Sequence, residues 1–205
     1  MQLRRDELRA DITDQETGMI MQLADRDQLM AALAEAGIDL RQWGVGAAKT
    51  ADDLWRELCD GESELQGPPL VRVVRGVVQA LVRRDDALLI EATQVLRDGR
   101  IRQRSSPPAD KLRPGERYQA AALRCLQEEL GVAATAVTLI EESYRCERTT
   151  AESISYPGLL SQYTFHIVEA RVAALPSGEF WTDERSADDP VARHRWIWQP
   201  QPDAR

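Results

Sequence analysis

The spacing of apolar residues changes near residues 61–70, where glycine and proline residues cluster. Before this stretch, apolar residues recur at helical spacing, at Ile20, Leu23, Leu29, Leu33 and Ala36. Gly37 is a typical helix end, and Thr50 with Asp53 is typical of the N-terminal cap of a second, shorter helix. The pattern therefore predicts a small helical segment over residues 1–66.

Beyond this segment, strand-like and helical runs are mixed. Strands are predicted over residues 71–82, 87–91, 100–104, 137–140, 163–172 and 196–198. Asp98-Gly99 is a strong signal for a β-hairpin, and a polar loop is expected over residues 105–115. A clear helical pattern runs from Tyr118 to Leu130 and ends at Gly131. Residues 67–205 are therefore expected to form an α/β domain.

Composition narrows the class of protein. The chain of 205 residues is long enough for one substantial domain with a smaller appendage. It has no apolar run of the ~18 residues that a transmembrane helix needs, and its first residues lack the apolar core of a secretory signal. A net charge of -8 argues against non-specific nucleic-acid binding. Three widely spaced cysteines do not make a disulfide framework, and two histidines are too few for a multi-histidine metal site. We therefore expect a cytoplasmic protein that binds neither a membrane nor nucleic acid non-specifically.

The chemistry suggested by the sequence lies in and before the Tyr118–Leu130 helix. Positions 125, 128 and 129 are spaced i, i+3 and i+4, so their side chains project to one side of the helix. Carboxylates gathered there offer the hard oxygen ligands that Mg²⁺ prefers, and a bound ion of this kind can hold a diphosphate and polarise its phosphorus towards water. Arg124 is placed to pair with Glu116 and to fix the preceding loop against the helix.

The segment from Asp110 to Val132 resembles the Nudix box. Seven of the nine fixed positions of that motif match, namely Glu116, Arg124, Leu126, Glu128, Glu129, Gly131 and Val132. Asp110 stands where the family has a glycine, and Cys125 stands where it has the first glutamate of the helix. The resemblance implies an α/β/α sandwich with a mixed sheet, preceded here by the helical segment. It also implies that the protein acts on or binds a nucleoside diphosphate linked to another moiety.

The resemblance carries roles to particular residues. It implies a catalytic set of Glu116, Arg124, Glu128 and Glu129, and a set of ligands for Mg²⁺ or Mn²⁺ consisting of Glu128, Glu129, Asp110 and Glu184. Asp110 is included among the metal ligands only because of its spacing in the motif. Its carboxylate would replace the backbone carbonyl that the family uses as a ligand. Glu184 lies on a late loop from which Nudix enzymes often supply an extra carboxylate, and a solvated loop acid is the alternative interpretation.

Cys125 leaves two functions open. A thiol is a soft ligand that suits Mg²⁺ poorly, and without a lowered pKa it does not replace a carboxylate as a general base. The first function is a Mg²⁺-dependent pyrophosphohydrolase weakened by this substitution. The second is a non-catalytic Nudix-fold module that binds a ligand or partner, with residues 1–66 binding that partner or forming a homodimer.

Candidate substrate-binding residues flank the motif. Arg100, Arg102 and Arg104 alternate along one predicted strand and so share a face, where their guanidinium groups suit phosphate oxygens. A solvated face paired with nearby acids is the equally weighted alternative. Lys111 follows Asp110 in the loop, where it is placed either to contact a phosphate or to be solvated. The expected ligand is a small nucleotide derivative.

Overall fold

The computed structural model describes residues 18–46, 48–187 and 189–201, so residues 1–17 of the predicted helical segment lie outside it. Its helices are α1 (Arg26–Glu35), α2 (Ala51–Cys59) and α3 (Tyr118–Leu130). Its strands are β1 (Met19–Ile20), β2 (Ser63–Gly67), β3 (Val71–Arg84), β4 (Ala87–Leu96), β5 (Ile101–Ser106), β6 (Ala109–Lys111), β7 (Val137–Glu152), β8 (Leu160–Val172), β9 (Phe180–Asp183) and β10 (Val191–Pro200). Within the described ranges, each helix is too short or too polar to cross a membrane.

Strand β3 is the centre of a mixed sheet. It pairs antiparallel with β2, β4 and β6 along different parts of its length, and parallel with β8. Strand β8 pairs in turn with β7, and β4 pairs with β5 and β10, which pairs with β9. The predicted α/β fold with a mixed sheet is therefore confirmed.

The local signals that depend on turns and caps are confirmed. Gly99 has φ +85° in the hairpin between β4 and β5, and Gly131 ends α3 with φ +70°, a backbone conformation that glycine adopts without strain. Thr50 and Asp53 form reciprocal hydrogen bonds at the start of α2.

Several predicted boundaries are wrong. Strand β7 continues to Glu152 instead of ending near residue 140, and β10 is longer than residues 196–198. The polar loop predicted over residues 105–115 contains β6, which pairs with β3. The late part of β7 is exposed and polar. Although it pairs with β8, it therefore shows no alternation of apolar and polar residues from which a strand could be predicted.

The helical pattern predicted before residue 61 starts too early in the sequence, at Ile20. Ile20 belongs to β1, which pairs with β2, and α1 begins only at Arg26. Strand β2 itself lies in the glycine- and proline-rich stretch where the sequence changes character, and it pairs with β3. The division into domains at residues 66 and 67 stays a prediction, and β2 and β3 pair across it.

Two hydrophobic interfaces position the helices. Helix α3 packs on the sheet through a cluster of buried residues, Val78, Ala121, Ala122, Cys125 and Val168. Helices α1 and α2 pack around a second cluster, which consists of Leu29, Leu33, Trp43, Leu54, Leu65, Tyr156 and Leu159. The second cluster joins the N-terminal helices to the residues that link β7 to β8. The described part of the N-terminal segment is therefore fixed against the sheet.

A buried ion network also joins α2 to the sheet. Glu57 of α2 is 5% exposed, and its carboxylate lies 2.7 Å from Lys49 Nζ, 2.5 Å from Arg72 Nη2 and 2.9 Å from Lys111 Nζ. Tyr156 donates a hydrogen bond of 3.0 Å to the same carboxylate. Burial alone would raise the pKa of Glu57, but the three cations outweigh it and hold that pKa well below its usual value.

We expect Glu57→Gln to lower the free energy of unfolding by about 3–5 kcal/mol at neutral pH, because it leaves buried cations without their carboxylate. Since the pKa of Glu57 is depressed in the folded protein, its contribution is present above the ordinary glutamate pKa of 4.5 and is lost as pH falls towards the folded pKa. Urea unfolding between neutral and acidic pH should therefore show the difference from wild type shrinking in acid. Glu147→Gln, at an exposed ion pair with Arg145, is the control. Equal effects of the two substitutions would contradict the role of Glu57.

Candidate functional site

A cavity of about 1060 Å³ lies between the N-terminal segment, the β4–β5 hairpin and α3. Residues 44–62 supply one side, and the loops around residues 110–114 and 184–190 complete the wall. The wall carries both signs of charge. Its basic side chains are Lys49, Arg56, Arg97, Arg100, Arg102, Lys111, Arg113 and Arg124, and its acidic ones are Asp53, Glu57, Asp60, Glu62, Asp110, Glu128, Glu129, Glu184 and Asp189. Its volume suits a nucleotide-sized ligand.

Arg124 of α3 is bonded to three acids, of which Asp110 and Glu128 line the cavity. Its Nε and Nη2 donate to the two oxygens of Glu116 at 2.9 and 2.8 Å, and its Nη1 donates to Glu128 at 3.1 Å and to Asp110. Its Nη2 also donates to the Lys111 carbonyl at 2.9 Å. The pKa of Arg124 is raised, and the hydrogen bonds to Glu116 contribute most to this increase. The guanidinium therefore fixes the loop after β6 against α3, as its spacing predicts.

His194 of β10 lies between two further acids. Its Nδ1 is 2.5 Å from Glu91 Oε1, and its Nε2 is 2.9 Å from Glu184 Oε2. Burial alone would lower the pKa of His194, but the hydrogen bonds to Glu184 and Glu91 outweigh it and raise the pKa to about 10. The imidazole is therefore a cation at neutral pH. Sequence analysis missed this contact, because Glu91 and His194 are 103 residues apart and neither stands in a motif.

Glu129 is the acid of the motif that has no basic partner within hydrogen-bond distance among the described residues. Burial raises its pKa well above the usual value, and the negative charges of Glu91, Asp110 and Glu184 add to this effect. Thr182 donates a 2.5 Å hydrogen bond to the backbone carbonyl of Glu129 and so holds this turn of α3 against β9.

Cys125 lies in the core. Its side chain is fully buried between α3 and the sheet, and burial raises the pKa of its thiol well above the usual value. A thiol with a raised pKa is neither a good nucleophile nor a general base. The replacement of the expected glutamate therefore leaves an apolar contact in place of a carboxylate.

The three candidate arginines on the hairpin differ in their partners. Arg100 bonds Asp98 at 2.8 Å and the Gly46 carbonyl at 2.8 Å, and Arg104 bonds Glu91 at 3.1 Å. Arg102 lines the cavity without an ion pair to any described residue, and its Nε is buried without a hydrogen bond there. A β-bulge between Gln103 and Ser106 interrupts the pairing of β5 with β4 next to Arg104.

Of the four predicted substrate-binding residues, Arg100, Arg102 and Lys111 line the cavity and Arg104 does not. Arg97 is a contact that sequence analysis missed. It donates to the backbone carbonyls of Asp189 at 2.8 Å and Ser186 at 3.0 Å, and so holds the loop that carries Glu184 against the hairpin.

A family model described as the NUDIX domain matches residues 72–200. The chain belongs to the Nudix family. Its fold is the α/β/α sandwich expected from the Nudix box, and α3 is the Nudix helix.

Solved structures also resemble this Nudix protein. A NUDIX hydrolase from Nitrosomonas europaea is 20% identical over 60% of this chain and 70% of its own, with a TM-score of 0.37. An Ap4A hydrolase from C. elegans is 16% identical over 60% and 77% of the two chains, with a TM-score of 0.35. An ADP compounds hydrolase is 17% identical over 66% and 68%, with a TM-score of 0.33. None of the curated proteins compared with the chain matches it.

The Nudix family implies a divalent metal ion, and the four expected ligands all line the cavity. Three of the four are already paired with cations, however, since Asp110 and Glu128 bond Arg124 and Glu184 bonds His194. In the part of the chain that the structure describes, no three Asp, Glu, His or Cys side chains stand together as an ion-binding group. As arranged, these residues therefore do not fit a bound Mg²⁺ or Mn²⁺.

We expect wild type to bind Mn²⁺ only weakly and Asp110→Ala to leave this weak binding unchanged within about twofold, because the Asp110 carboxylate bonds Arg124 and is not free to bind an ion. Titration of Mn²⁺ followed by electron paramagnetic resonance measures this directly, with Asp52→Ala, on the exposed side of α2, as the control. Loss of a true ligand should weaken binding at least about tenfold, and that result would show that Asp110 does bind the ion.

Proposed function

We propose that the cavity binds a nucleoside diphosphate linked to another moiety. The observation that carries the proposal is Arg102, a cavity-lining guanidinium without an acidic partner among the described residues. Burial lowers the pKa of Arg102, and the positive charges of Arg100 and Arg104 add to this effect. An anion in the cavity would relieve this repulsion, and phosphate oxygens match the geometry of a guanidinium.

Hydrolysis of the pyrophosphate bond is a second candidate function, favoured by Glu129. Glu129 lines the cavity, and its raised pKa favours a carboxyl group that can exchange a proton with water. Two features act against rapid turnover. Cys125 supplies no second carboxylate, and three of the four acids expected to hold Mg²⁺ or Mn²⁺ are bonded to Arg124 or His194. We therefore propose a ligand-binding protein with slow or no hydrolysis.

The binding proposal is tested by calorimetric titration with ADP-ribose and diadenosine tetraphosphate, with and without Mg²⁺. We expect binding in the absence of metal, and Arg102→Gln should weaken it by about tenfold, the loss of one charge-assisted hydrogen bond. Arg148→Gln, on an exposed part of β7, removes the same charge elsewhere and serves as the matched control. Failure of both compounds to bind, or equal affinities of the two variants, would contradict the proposal.

The two candidate functions differ in what Glu129→Gln and Cys125→Glu should do. If slow hydrolysis occurs, we expect Glu129→Gln to abolish it with little change in ligand affinity. Cys125→Glu should give no gain, because it buries a carboxylate in the cluster around Val78 and lowers the free energy of unfolding by several kcal/mol. Release of AMP and urea unfolding measure the two effects, with Cys125→Ala as the control. A gain in turnover in Cys125→Glu would show that the site is an enzyme lacking one carboxylate.

A further inference from the structure

The sequence contains only two lysines, Lys49 and Lys111, among 26 basic residues. All the other basic residues are arginines, so lysine at these two positions departs from the composition of the chain. The two lysines are far apart in sequence, Lys49 in the N-terminal segment and Lys111 at the end of β6. Both line the cavity.

The two ammonium groups contact the same carboxylate oxygen. Lys49 Nζ lies 2.7 Å, and Lys111 Nζ 2.9 Å, from the same oxygen of Glu57, so the two nitrogens are close neighbours. Lys111 also bonds Glu62 at 2.6 Å. The lysine side chains are 27% and 25% exposed whereas that of Glu57 is 6% exposed, so the carboxylate lies beneath the ammonium groups.

The charges of this network do not balance. Three cations, Lys49, Lys111 and Arg72, meet two carboxylates, Glu57 and Glu62, so one positive charge is left over. Each ammonium carries three N–H donors, and the contacts with described residues do not use all of them. The remaining donors are available to a group in the cavity.

We propose that Lys49 and Lys111 form an anion subsite that takes a phosphoryl group of the ligand, with Glu57 as the positioning residue. The inference rests on the proposed function and extends it, because the N-terminal segment then supplies part of the binding site. Lysine suits the position, since a compact ammonium can bond Glu57 and still direct a donor to a second anion, whereas a guanidinium has its donors in a fixed plane.

The absence of other lysines permits a selective test. Acetylation with an amine-specific reagent modifies Lys49, Lys111 and the α-amino group, and peptide mass spectrometry gives the rate at each. Saturating inorganic pyrophosphate should slow the reaction of both lysines by about tenfold relative to sodium chloride of equal ionic strength. The α-amino group in the same samples reports any general effect on the reagent. Unchanged rates at both lysines would overturn the subsite.

A second experiment separates binding from a purely structural ion network. Lys49→Gln should weaken ADP-ribose binding by about tenfold, Lys49→Arg should restore part of it, and Arg148→Gln should match wild type. Urea unfolding of each variant is measured in parallel. A Lys49→Gln protein that is less stable but binds ADP-ribose normally would show that the lysine is only structural.

The outcomes distinguish this inference from the proposed function. If ADP-ribose binds and the lysine variants bind it equally well, the subsite is wrong and the proposed function stands. If pyrophosphate protects both lysines but no nucleoside diphosphate derivative binds, the subsite stands and the proposed function is wrong.

Discussion

The structure of this Nudix protein depends on pairing the charges around its cavity. Acids that a partly buried wall brings together repel one another unless cations lie between them. Arg124 holds Glu116, Glu128 and Asp110, and His194 holds Glu91 and Glu184. The protein thereby supplies from its own side chains the positive charge that a divalent metal ion would otherwise bring, and this explains why the expected ligands line one cavity without forming an ion-binding group.

The same requirement joins the N-terminal segment to the Nudix domain. Glu57 of α2 is stable in a buried position because Arg72 of β3 and Lys111 of β6 reach it from the sheet. The hydrophobic cluster around Leu54 and Tyr156 lies alongside and fixes the approach of α2. Residues between Gly44 and Glu62 thus line the cavity, although the Nudix motif does not include them.

Local signals explain what could be predicted from the sequence. Helix α3, its end at Gly131 and the Arg124–Glu116 pair follow from spacing within one short segment, and the hairpin follows from Asp98-Gly99. The extent of β7 could not be predicted, because its exposed polar residues carry no apolar period. Nor could the contact of His194 with Glu91, which depends on how two strands 103 residues apart meet. The two lysines stand out in the sequence because all the other basic residues are arginines. Only the structure shows that both of them contact Glu57.

A crystal structure with ADP-ribose and Mn²⁺, in which anomalous scattering locates the metal, tests this pairing of charges. We expect phosphates against Arg102, Lys49 and Lys111, with Arg124 still bonded to Glu116 and Glu128. An ordered Mn²⁺ held by Glu128, Glu129 and Asp110, with Arg124 displaced, would contradict it. So would ADP-ribose bound outside the cavity.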